Sequence, residues 1–220
     1  MRTRLTPEDL QNENEFELLT EVSHQKLREF VVEQITKEKY VIRIYSIYQV
    51  IMVMLFTFLL TKGTVLSIKG YSEMLIEIGL SIAFSLSALI VIHELLHALA
   101  YLLTGARRIS FGVIPQKFIF YALADRQVIA PRAFHIVAFT PFSVVKIICL
   151  AGFVAFYNQQ LMYFFLSVMC LHSLFCAGDI AMLAFYRIHK EKEIFNFDNK
   201  SEGKTYFYSR KKRTLNYDNF

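Results

Sequence analysis

Apolar residues along this chain gather into four long runs: about Ile44 to Thr61, Met74 to Leu103, Ala133 to Phe156 and Leu161 to Tyr186. Each reaches or exceeds the ~18–20 helical residues that cross the hydrocarbon of a bilayer, so the pattern predicts four transmembrane helices. The first run has no charge, the second carries Glu77, the third Lys146 and the fourth Asp179. The second run is longer than a bilayer needs, which predicts tilt or projection at one end.

The polar segments read differently from one another. Thr6-Pro7-Glu8-Asp9 is a helix start, with threonine as cap and proline in the first turn. Leu19, Val22, Leu27, Phe30, Val31 and Ile35 then line one face of an expected amphipathic helix, lying on the membrane or docked at its cytoplasmic face. Between the second and third spans, Ile109–Ile114 and Lys117–Leu123 are short β-branched or aromatic runs parted by Pro115-Gln116. They predict a small hairpin or re-entrant strand element. From Arg187 the chain is polar, with Lys211-Lys212-Arg213 near its end, a basic tail suited to anionic lipid. The expected class is an all-α polytopic membrane protein with about four transmembrane helices and a small β-hairpin-like cytoplasmic element. Its regions are 1–43 (N-terminal helix region), 44–186 (membrane domain) and 187–220 (basic tail).

Charge orients the spans. Lysine and arginine crowd the segment before the first span, the 107–132 connection and the segment after the fourth, whereas the other two connections hold only Lys62 and Lys69. The positive-inside rule then puts both termini and the middle connection in the cytoplasm, with the plasma membrane as the expected location. Composition agrees: 55% of the 220 residues are hydrophobic and 15% aromatic, which suits a small polytopic protein better than a soluble domain. Cys149, Cys170 and Cys176 all fall in apolar runs and read as reduced, packed thiols. The first 43 residues lack the apolar core of a signal peptide. The basic tail comes with no nucleic-acid-binding module, so nucleic acid is not an expected partner.

The chemistry lies inside the second run. His93-Glu94-Leu95-Leu96-His97 has two histidines four apart, on one face of a helix, able to bind one metal ion together. Glu94 lies beside them, where it can take a proton from metal-bound water. Imidazoles and carboxylates are costly in a bilayer, so their presence calls for a function. A catalytic zinc usually takes three protein ligands. Between His97 and the segment after the fourth span the only carboxylates are Asp125 and Asp179. His97 lies ten residues before Arg107 and Asp179 eight before Arg187, so both sit roughly 12–15 Å inside a cytoplasmic basic residue. Matched depth makes Asp179 the expected third ligand, and Gly178 is expected to let helices approach closely there. His172, seven residues before Asp179, is the alternative ligand or a supporting histidine. His135 reads as interfacial. Lys146 pairs with a carboxylate, snorkels, faces a polar cavity or assists an oxyanion.

HELLH near the end of one span, a strand-like connection and a Gly-Asp pair in the last span together resemble the putative zincin peptidase family of small integral membrane proteins. More distantly the chain is similar to site-2 proteases. The resemblance covers roughly Leu60 to Tyr186. It implies His93 and His97 as zinc ligands, Glu94 as general base and Asp179 as third ligand. The chain departs from site-2 proteases in placing Gly178 before Asp179 and in lacking their asparagine-containing motif. The implied function is a membrane-embedded zinc metallopeptidase cutting membrane-associated polypeptides. The competing readings are a non-catalytic immunity, scaffold or regulatory factor that keeps the metal site, and a metal transporter, the weakest of the three. Peptide hydrolysis needs an extended backbone, so Lys117–Leu123 either offers a strand edge to substrate or only covers the site.

Overall fold

The computed structural model describes residues 5–114 and 119–211. The expected Pro115-Gln116 turn, Lys117-Phe118 and Lys212-Arg213 lie outside the described residues. In chain order the elements are α1 (Pro7–Leu10), β1 (Phe16–Ser23), α2 (Leu27–Lys37), α3 (Tyr40–Ile68), α4 (Glu73–Ser85), α5 (Ala88–Leu103), β2 (Ile109–Ile114) and β3 (Ile119–Ala124), followed by α6 (Pro131–Ala155), α7 (Leu161–Phe175), α8 (Ala177–Ile188), β4 (Ile194–Asn199) and β5 (Lys204–Arg210).

The first and third apolar runs form single helices, α3 and α6, each long and apolar enough to cross a membrane. Ile44, Ile47, Val50, Met54 and Phe58 of α3 are exposed, a continuous apolar surface consistent with lipid contact. The second and fourth runs break instead of tilting. α4 and α5 meet at 49°, and α7 and α8 at 46°. Each bent pair is a candidate span, so the described residues hold two to four candidates. Close helix approach occurs at Gly63 and Gly152. A Cβ on Gly63 would lie 3.2 Å from the Ile78 side chain, and one on Gly152 would lie 2.5 Å from the Phe165 ring. At Gly178 a Cβ would meet nothing within 4 Å, so the expectation of close packing there is wrong. Gly178 lines a cavity instead.

The two ends of the chain depart most from an all-α architecture. Thr6 does cap a helix, with Asp9 completing a reciprocal capping box, but α1 lasts only four residues. The chain then runs out as β1, which pairs antiparallel with β5; β5 pairs antiparallel with β4. The result is a three-stranded sheet in the order β1-β5-β4, built from segments more than 180 residues apart. The helical face expected over Leu19–Ile35 mixes a strand with a helix, since only Leu27–Lys37 is helical there. The expected polar tail includes β4, whose six residues are all buried.

This sheet is fixed to the helices by an apolar core. Phe207 of β5 is fully buried among Phe30, Phe185 and Tyr186, and Phe134 of α6 stacks on Tyr186 with ring centroids 4.4 Å apart. The β2–β3 hairpin forms as expected, with Phe111 opposite Ala122 and Val113 opposite Phe120. The segment after β3 is tied to β4: Arg126 N–H donates to the Asp198 carbonyl and Ile129 N–H to the Asn196 carbonyl, both at 2.8 Å. Sheet, hairpin and broken helices together line a half-open cavity of about 860 Å³.

Candidate metal centre

Both helices that supply the central side chains begin at a break. α5 starts after Leu86-Ser87, and its second and third turns carry His93 and His97 on one buried face. α8 restarts after Cys176, placing Asp179 in its first turn, where the positive end of the helix dipole favours a carboxylate. The bend lets a residue of the fourth apolar run point at the middle of the second.

There the three side chains converge. His93 Nε2 and His97 Nε2 lie 3.1 Å apart. Asp179 Oδ2 is 3.2 Å from His93 Nε2, and Asp179 Oδ1 is 3.2 Å from His97 Nε2. Around a tetrahedral zinc with bonds of 2.0–2.1 Å, ligand atoms lie roughly 3.3 Å from one another. The ring environments add a second argument. His97 Nδ1 is 3.0 Å from the Val137 carbonyl, which can only accept, so in the neutral ring that nitrogen carries the proton and Nε2 presents a lone pair. His93 Nδ1 lies 3.0 Å from His172 Nε2, and a proton on His93 Nδ1 likewise leaves its Nε2 bare. Asp179 Oδ2 is buried and receives no hydrogen bond, although His93 Nε2 faces it. Lone pairs and carboxylate oxygens crowded at 3.2 Å repel unless a proton or a metal cation sits among them. The residues therefore fit zinc by donor type and spacing.

Glu94 stands beside this group. Its Oε2 accepts a 2.7 Å hydrogen bond from the Ala122 N–H of β3. His93, Glu94 and His97 offer ligand atoms within 4.8 Å of one another, as do His93, His172 and Cys176. The second set uses the far side of the His93 ring, because His172 meets Nδ1 while His97 and Asp179 meet Nε2. His172 and Cys176 therefore cannot share one ion with His97 and Asp179.

All of these residues fall within one stretch of family resemblance. Residues 86–194 match the putative zincin peptidase family. The match takes in just under half of the chain. It contains both broken-helix starts, the hairpin and the beginning of β4, so the zincin segment and the cavity wall largely coincide. No curated protein and no solved structure matches the chain, and the more distant resemblance to site-2 proteases finds no support.

The remaining residues singled out from the sequence fall outside this cluster. Asp125 is held elsewhere, its Oδ1 accepting from the Lys200 N–H at 2.9 Å. His135 is exposed and bonds the Pro131 carbonyl. Lys146 is buried, donates to the Met169 carbonyl in the middle of α7, and sits about equally far from the Tyr48 and Phe142 rings, at 5.5 and 5.6 Å. It does not line the cavity, so an oxyanion role has no geometry behind it. Several polar residues that line the cavity escaped sequence reasoning altogether, among them His24, just after β1, Asp198 of β4 and Thr205 of β5. No motif marks them, and they meet only because the chain ends pair. The Ala122 N–H escaped too, because a backbone donor leaves no signature in the sequence.

Proposed function

We propose that this chain is a membrane-embedded zinc metallopeptidase acting on membrane-associated polypeptides, with His93, His97 and Asp179 as zinc ligands and Glu94 as general base. One observation carries the reading: two imidazole lone pairs and an unbonded carboxylate oxygen converge beside a glutamate, in a cavity large enough for an extended peptide. Zinc held there would lower the pKa of water and polarise the scissile carbonyl. The protein residues do the rest. The Val137 carbonyl and His172 fix the two imidazole rings, so each keeps its Nε2 pointed inward. The Ala122 N–H holds Glu94 Oε2, leaving Oε1 to take the proton of the attacking water and pass it to the leaving amine nitrogen. Apolar walls such as Leu86, Ile90, Phe134 and Val137 limit entry of bulk water. The partners in this reading are the bilayer and a membrane-borne polypeptide, and both termini lie on the cytoplasmic side of the plasma membrane.

The test compares wild type with Glu94→Gln, measuring zinc content and turnover of membrane-derived peptides. Equal zinc with turnover reduced roughly 10²–10⁴-fold is expected, since glutamine keeps the shape but cannot accept the proton. Unchanged turnover would remove Glu94 from the mechanism. Zinc-loaded wild type that cleaves nothing would favour the non-catalytic alternative.

A further inference from the structure

The cavity that His93, His97 and Asp179 line carries a second polar group, supplied by the sheet. Asp198 is 7% exposed and lines the cavity. Thr205 Oγ1 donates to its Oδ1 at 2.5 Å. His24 Nε2 is 3.2 Å from Thr205 Oγ1 and 3.9 Å from Asp198 Oδ1, and the His24 ring packs against Tyr121 of β3 with centroids 5.1 Å apart. Among the described residues, His24 is the one basic side chain within ion-pair distance of Asp198. Burial lowers the His24 pKa, which keeps the ring neutral and the carboxylate without a full counter-charge. Arg28 also lines the cavity but is exposed and forms no ion pair with Asp198.

We propose that Asp198, supported by Thr205 and His24, is the subsite that receives a lysine or arginine side chain of the polypeptide substrate. The proposal rests on the peptidase reading of the metal centre. A buried carboxylate without a charged partner is costly, and an incoming ammonium or guanidinium group relieves that cost. The same cavity is also lined by the apolar side chains of Leu27, Val31 and Met182, which suit the aliphatic stem of such a side chain. Charge complementarity selects the partner. Membrane polypeptides concentrate lysine and arginine just outside their spans, on the cytoplasmic side. Asp198 belongs to the sheet beyond the helices, whereas His93, His97 and Asp179 lie within the apolar runs. A substrate entering with its basic residue on Asp198 would place the bond next to its apolar segment over the metal centre.

Binding can be measured without turnover, using zinc-loaded Glu94→Gln protein in detergent. Two fluorescent peptides share one apolar segment and differ at a single flanking residue, lysine in one and acetyl-lysine in the other. The lysine peptide should bind roughly 10- to 100-fold more tightly, the range expected for a hydrogen-bonded charged group. Asp198→Asn should abolish that difference while the affinity for the acetyl-lysine peptide and the zinc content stay unchanged. If Asp198→Asn also loses zinc, His24→Lys is read instead: a fixed cation beside the carboxylate should erase the lysine preference. Equal affinities with Asp198 intact, no binding of either peptide, or a lysine preference that survives these substitutions would each overturn the subsite. Wild-type turnover separates this from the broader reading. Cleavage with no lysine preference defeats the subsite alone, whereas a preference in binding with no cleavage by zinc-loaded wild type defeats the peptidase.

Discussion

Asp179 shows how one residue is defined by what surrounds it. As a lone aspartate in an apolar run it is a liability. Beside two imidazole nitrogens at 3.2 Å it is a donor suited to a cation. Asp179→Ala should therefore strip zinc from the purified protein, as should His97→Ala. His172→Ala, which removes a support of the His93 ring, should weaken zinc affinity only about 10–100-fold. Metal analysis across a chelator series would separate these cases. Full zinc in Asp179→Ala with loss in His172→Ala would overturn Asp179 as a ligand and point to the His93, His172 and Cys176 group instead. A second residue-scale expectation concerns pH. Burial, reinforced by nearby Asp125 and opposed by the Thr205 hydrogen bond, pushes the Asp198 carboxyl up to about 6. A cation needs its ionised form, so lysine-peptide affinity should rise as pH climbs from about 5 to about 7. Any positive charge that His24 gains at low pH acts in the same direction on affinity, because it repels the ligand. A flat affinity across this range would argue that Asp198 does not meet the cation.

At the scale of elements, β3 has two edges with different duties. The Asp125 N–H donates to the Arg108 carbonyl on the β2 side, whereas the Ala122 N–H turns outward to Glu94. The two-residue period of a strand puts the Phe120 N–H on the outward edge and the Ile119 N–H on the β2 side. Strand addition by a substrate would use the outward edge. Phe120→Pro should thus depress cleavage with zinc retained, while Ile119→Pro removes a donor on the side of the hairpin's own ladder and is the less discriminating variant. Normal cleavage by Phe120→Pro would leave the hairpin as a cover only. The broken helices carry an equal share of the design. Bends of 49° and 46° restart α5 and α8 next to the residues that form the centre, and irregular backbone is tolerated at such depth where it is packed in protein or lines a cavity.

For the whole molecule, the pairing of β1 with β5 makes the two chain ends one body above the cavity. They must then lie on the same side of any membrane the helices cross. Single-cysteine variants at Ser201, Ser110 and Ser67 test this by labelling in intact cells. Ser201 and Ser110 should be protected and Ser67 labelled from outside. External labelling of Ser201 would overturn the topology.

The sequence by itself determined the apolar runs, the hairpin, the histidine pair and the matched depth of Asp179. Each is a local property: hydropathy over a window, strand propensity over six residues, or helical spacing over four. It misjudged Gly178, because a small residue can signal close packing or an open cavity and only the neighbours decide which. It could not foresee the sheet, because β1 and β5 find their partners across nearly the full length of the chain and neither has a signature of its own. The tertiary structure alone decided the breaks in two helices, the backbone donor on Glu94 and the meeting of His24, Asp198 and Thr205 in the cavity that His93, His97 and Asp179 also line. Those depend on which surfaces pack together, a long-range outcome that local periodicity does not record.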